Sequence, residues 1–170
     1  MFVRYYVTIE RPIEECREVL LESPDEWLPN LVQSSEGPAE QLMARMGFSI
    51  LAVGVRKRAI VQLGKPMLLR DWLHIPISWE AQPVSELFPR FEGELQLVPI
   101  GPGETKLALA GTYDPPLGDV GRAVDNLLMH TAAEATVKDF VEQLAKRLEK
   151  ELQERGQSAG HDHQSQGVGA

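Results

Sequence analysis

Residues 2 to 10 alternate, with Val3, Tyr5, Val7 and Ile9 on one side and Arg4, Thr8 and Glu10 on the other. That is the period of a half-buried strand. Arg11-Pro12 stops it, and proline suits the first turn of a helix, here one that turns Ile13, Cys16, Val19 and Leu20 inward. Ser23 is a fitting N-cap for a second short helix carrying Trp27, Leu28 and Leu31. From about residue 40 to 113, turn residues separate short apolar runs. Leu42, Met46, Phe48 and Ile50 suggest one strand and residues 55 to 63 another, closed by Gly64-Lys65-Pro66. Leu69, Leu73, Ile75, Ile77 and Trp79 then share one face of a longer strand that Pro76 must bend or place at an edge. Phe91, Gly93, Leu95 and Leu97 alternate against Glu92, Glu94 and Gln96, and Gly101-Pro102-Gly103-Glu104 turns into a final strand with Leu107 and Leu109.

A different period begins at Val120. Val124, Leu127, Leu128, Thr131, Ala135, Val137, Val141, Leu144, Leu148 and Leu152 mark one helical face. No glycine or proline interrupts the chain between Gly121 and Gly156, so the helix runs for about 34 residues, or about 50 Å. Strands joined by short turns pair antiparallel and keep one face wet, and this helix alone is large enough to cover the other face. The prediction is an α+β domain over residues 1 to 155: a curved antiparallel sheet of about six strands wrapped around a long C-terminal helix, with two short helices after the first strand. Glu142 with Lys146 and Glu151 with Arg155 read as a solvated outer face. The turns past Leu148 read as serving solubility or association, and residues 156 to 170, rich in Gly, Gln, Ser and His, as a disordered tail.

At 170 residues the chain is one domain able to bury a core without staples. Its net charge of −8 argues against nucleic-acid binding, which needs a concentrated basic surface, and against anionic membranes. The basic cluster Arg56-Lys57-Arg58 alternates faces on a strand and reads as salt-bridge partners. A single cysteine, Cys16, makes no internal disulfide, so a reducing, cytoplasmic location is expected. The N-terminus carries no signal pattern and no apolar run is long enough to span a bilayer, so stable membrane insertion is not expected.

The element order, the Gly111-Thr112-Tyr113-Asp114-Pro115-Pro116-Leu117-Gly118 corner, and the segments Asp125-Asn126-Leu127-Leu128-Met129-His130 and Ala133-Glu134-Ala135-Thr136-Val137 resemble the START-like, helix-grip superfamily. That superfamily includes polyketide cyclases, the birch-pollen allergen group and coenzyme-Q-binding proteins. The resemblance covers nearly all of residues 1 to 153. It implies a curved sheet gripping the C-terminal helix, with a hydrophobic cavity between them for lipids, sterols, aromatic polyketides or similar ligands.

By register such a cavity is lined by Leu73, Ile75, Ile77, Trp79, Phe91, Leu95, Leu107, Leu109, Val124, Leu128 and Thr131. Trp79 and Phe91 suit stacking on a flat ligand, but a plain core role fits them better, since large aromatics dominate any core. The small side chains of residues 129 to 136 leave room for a ligand or for close packing of helix on sheet. Three polar groups are candidates for chemistry. Asp71 shares parity with Leu69 and Leu73, so it either points inward as an acid, base or ligand anchor, or sits in water beside Arg70, Arg56 or Arg58. Tyr113 and His130 complete the set. His130 and Glu134 stand one turn apart, but two ligands do not make a zinc site, and a surface hydrogen bond fits better. His161 and His163 in the tail read as a solvated linker. No phosphate loop, nucleophile elbow or paired carboxylates appear, so no catalytic residue, cofactor or metal is expected. The leading expectation is a cytoplasmic protein, monomer or homodimer, that binds a hydrophobic small molecule. The alternatives are a polyketide cyclase or aromatase-like enzyme using Asp71, Tyr113 and His130, and a protein-interaction module using the projecting helix end.

Overall fold

The computed structural model describes residues 1–22, 58–82, 90–114 and 126–164. Strand β1 (Phe2–Ile9) leads into helix α1 (Ile13–Leu21). Strands β2 (Arg58–Leu63), β3 (Met67–Leu69), β4 (Trp72–Gln82), β5 (Arg90–Gly101) and β6 (Glu104–Asp114) follow, and helix α2 (Asn126–Gln164) comes last. Six strands form one antiparallel sheet in the order β1-β6-β5-β4-β2, with β3 also on β4. The expected α+β architecture is therefore present. The second short helix, the strand at residues 42 to 50, Arg56, Lys57, Phe88 and the Pro115-Pro116-Leu117-Gly118 corner lie outside the described residues.

The long strand read from Leu69 to Trp79 is instead a hairpin. Arg70 adopts φ 57, which turns the chain back so that Leu69 faces Trp72 and Met67 faces His74. Pro76 lies inside the sheet, not at its edge, because β2 stops pairing at Ile77 and β3 at His74. The gap between them demands no proline N–H, and the Pro76 carbonyl accepts a 2.8 Å bond from the Gly64 amide.

Four rows of inward side chains cross the strands in register. Leu73, Leu97, Leu107 and Val7 form one row, and Ile75, Leu95, Leu109 and Tyr5 the next. Ile77, Gly93, Gly111 and Val3 form the third. Trp79, Phe91 and Tyr113 form the last. Helix α1 packs on β5 and β6, and α2 on β1 and β6, with Ile13, Cys16, Val19 and Leu20 joining the same core.

Helix α2 buries Ala133, Thr136, Val137, Phe140, Val141, Leu144, Ala145, Leu148 and Leu152, a stripe at three- and four-residue spacing. Its 39 residues extend about 58 Å. It runs on through Gly156 to Gln164 and does not stop near residue 155. Leu148 and Leu152 are part of the core, because α1 lies against that half of the helix. Arg155 pairs with Glu18 on α1 at 3.5 Å and with Glu22 just past its end. Glu142 accepts a 2.9 Å hydrogen bond from the Tyr5 hydroxyl on β1. Two residues expected on a solvated outer face thus tie the helix to α1 and β1. Ion pairs on the helix surface include Lys138 with Glu142, Arg147 with Glu151, and Lys150 with Glu154.

Candidate functional site

The aromatic row differs chemically from the aliphatic rows beside it. β4, β5 and β6 place Trp79, Phe91 and Tyr113 side by side on the covered face, all buried. The Trp79 and Phe91 rings stack with centroids 4.1 Å apart and planes 18° apart. Helix α2 adds Phe140, whose ring lies 5.6 Å from Trp79 at 34°.

The glycine row explains why these rings fit. A Cβ on Gly93 would stand 2.4 Å from the Ala110 carbonyl oxygen and 2.6 Å from the tip of the Phe91 ring. A Cβ on its cross-strand partner Gly111 would stand 2.4 Å from the Glu92 carbonyl oxygen and 2.7 Å from the same ring. The Phe91 ring therefore folds along its own strand and fills the space two side chains would take. Trp79 stacks on the ring so held.

Polar groups are sparse at this level. Trp79 is 1% exposed, and among the described residues its buried Nε1 has no hydrogen-bond partner. Tyr113 exchanges both backbone bonds with Met1, at 2.8 and 2.7 Å. Thr136 is buried on the helix one turn before Phe140.

The remaining predicted residues fall as follows. Leu73, Ile75, Ile77, Leu95, Leu107 and Leu109 are buried on the covered face with Trp79 and Phe91. Leu128 lies in the first turn of α2, and Val124 lies outside the described residues. Thr131 is exposed, because the buried stripe runs through Ala133, Thr136 and Phe140, one helical step from the face it was placed on. Phe140 escapes the sequence pattern for the same reason: it sits one position before Val141, outside the face that the apolar spacing marks.

The three candidate polar groups do not converge. Asp71 is exposed in the β3–β4 turn, since the hairpin breaks the parity that would have aimed it inward, and it lies about 26 Å along the strand from Trp79. His130 is 42% exposed at its side chain and pairs with Glu134 at 3.1 Å. Tyr113 alone of the three faces the interior. Among the described residues no three His, Cys, Asp or Glu side chains gather as a metal site. Trp72, on the opposite face from Trp79 as its parity requires, is 45% exposed and stacks on His74. A cavity of about 100 Å³ on that outer face is bordered by Gln62, Ser78, Trp79, Glu80 and Arg90. It has room for a few waters and not for a drug-sized ligand.

Two groups on the covered side are shifted in pKa. The hydrogen bond to Glu142, then burial and the Glu142 charge, raises the Tyr5 phenol. Burial raises the Cys16 thiol, against a smaller opposing effect of a hydrogen bond with Thr105. Both act as structural groups, since neither belongs to the aromatic row.

No family model and no curated protein matches this chain. Among solved structures, it is similar to a conserved protein from Geobacillus kaustophilus, with a TM-score of 0.51 and 16% identity over 86% of this chain and 94% of that one. It is also similar to the Zhui aromatase/cyclase from Streptomyces sp. R1128, with a TM-score of 0.43 and 16% identity over 94% of this chain and 98% of that one. At 16% identity the first likeness shows a shared fold and no activity, and the second is too loose to add to it. Among the described residues no helix is long and apolar enough to cross a membrane.

Proposed function

We propose that the protein is a START-like, helix-grip protein that holds a hydrophobic, flat small molecule between the sheet and α2, at the row of Trp79, Phe91 and Tyr113. The observation that carries this reading is the gathering of three aromatic residues on neighbouring strands, with Phe140 packed on Trp79 and Gly93 and Gly111 seating the Phe91 ring. Stacked aromatics give a flat apolar ligand a large contact area at little entropic cost. The aliphatic rows beside it then serve as the rigid floor of the site. Acid–base catalysis is not part of the reading, because Asp71 and His130 stand apart from Tyr113. The protein acts as a cytoplasmic carrier or sensor, monomeric or homodimeric.

Native mass spectrometry of the purified protein, with organic extraction of what it carries, tests the proposal. A bound, extractable hydrophobic species that Trp79→Ala fails to retain is expected. A wild-type protein that neither carries such a species nor takes up any flat apolar probe overturns it.

A further inference from the structure

Among the described residues, Trp79 Nε1 is a buried side-chain donor left without a partner. Other buried polar groups of the core are served: Thr105, fully buried, donates to the Arg11 carbonyl at 2.8 Å. An indole N–H can only donate and has no rotor of its own. Its direction follows the ring plane, and here that plane is fixed by the 4.1 Å stack on Phe91, which is in turn seated over Gly93 and Gly111. The donor therefore cannot swing away to find another acceptor. Buried donors are overwhelmingly paired in folded proteins, and an unpaired one is costly. A phenylalanine at this position would keep the stack and avoid that cost.

We infer that the ligand carries a hydrogen-bond acceptor on its flat ring system, a ring carbonyl or an equivalent oxygen, and that Trp79 Nε1 is the donor that receives it. The inference rests on the proposed binding at the aromatic row and adds the polar requirement of that site. Ring stacking alone would accept any flat hydrocarbon; the N–H selects the oxygenated ones and fixes their orientation. Since the donor is buried, a ligand reaches it only after local opening of the sheet–helix contact. That opening costs ligands with and without the acceptor equally, so it cancels in a matched pair.

Fluorene and fluorenone are such a pair, one ring system without and with a carbonyl. Their affinities for wild type and Trp79→Phe give a ratio of ratios free of differences in their hydrophobicity. The expected result is that the change to phenylalanine lowers the preference for fluorenone by about tenfold, while fluorene binding changes little. Indole ¹H–¹⁵N spectra provide a second measurement that needs no change at Trp79. The chain has three tryptophans, so Trp27→Phe and Trp72→Phe assign the Trp79 signal by elimination. Fluorenone should move that proton downfield and fluorene should not. If both compounds bind but the ratio and the indole shift are the same for each, the hydrogen bond is refuted and the binding site stands. If neither binds wild type, the site and the inference fail together.

Discussion

Gly93→Ala is the sharpest perturbation of the arrangement that seats the aromatic row. The added Cβ would lie 2.4 Å from the Ala110 carbonyl oxygen, where ordinary contact begins at 3.4 Å. The β5–β6 backbone would have to part by about 1 Å, and no side-chain rotation relieves a clash with a carbonyl. Overpacking of this kind costs about 1 to 3 kcal/mol. A weakened strand hydrogen bond adds about 1 kcal/mol. The Cβ also meets Phe91 at 2.6 Å, and disturbing its stack on Trp79 adds about 0.5 to 1.5 kcal/mol. A total loss of about 3 kcal/mol or more is expected, a fall in Tm of about 6 to 12 °C for a chain of this length. Thermal unfolding followed by far- and near-UV circular dichroism measures it, the near-UV band reporting the tryptophan environment. Gly103→Ala is the control: in the β5–β6 turn its Cβ would meet nothing within 4 Å, so its Tm should stay within about 2 °C of wild type. If Gly93→Ala also melts within that margin, the glycine row does not seat Phe91 as described.

Phe140→Ala removes a fully buried ring from α2 where it packs on Trp79, and should cost about 3 to 5 kcal/mol in urea unfolding. A loss below about 1 kcal/mol would show that the ring is not packed there. Arg70→Gly should raise stability by about 0.5 to 1 kcal/mol, because φ 57 is strained for a side chain and free for glycine. A destabilised variant would refute that turn geometry. Alkaline pH should weaken the fold. The Cys16 thiol is raised in the folded state, so its contribution is complete below the unfolded value of about 8.5 and falls as pH rises through the folded one. Tyr5, also raised, adds the same trend from about pH 10. Urea midpoints at pH 7.5 and 9.5 should drop for wild type and drop less for Cys16→Ala; equal drops would exclude the thiol as a cause.

The sheet was legible because its inward residues keep strict period two. Leu73, Ile75, Ile77, Trp79, Phe91, Leu95, Leu107 and Leu109 all fall on the covered face that parity assigns them. Among the described strands parity misleads at Arg70-Asp71, where the chain turns without a glycine or proline to announce it, and Asp71 takes the solvent-exposed one of its two readings there. On α2 the period was read correctly over its later turns and misplaced near Thr131. Alanine and threonine fill both faces there, so hydropathy alone fixes no phase, whereas Phe140 and Leu144 do. The ties of Glu142 to Tyr5 and of Arg155 to α1 were invisible for a different reason: charge spacing on a helix predicts partners within it, not across 137 residues of chain. The seating of Phe91 over Gly93 and Gly111 needs the cross-strand register, which no local pattern supplies.

The central claim, that a flat hydrophobic molecule binds against Trp79, is tested most directly in a protein whose only indole is Trp79. The double variant Trp27→Phe with Trp72→Phe meets that condition. Its emission should be blue-shifted, as for a buried indole, and titration with fluorenone should quench it saturably, with a shortened lifetime for none of the remaining unbound fraction. Quenching that rises linearly like that of free tryptophan, or none at all, contradicts the claim.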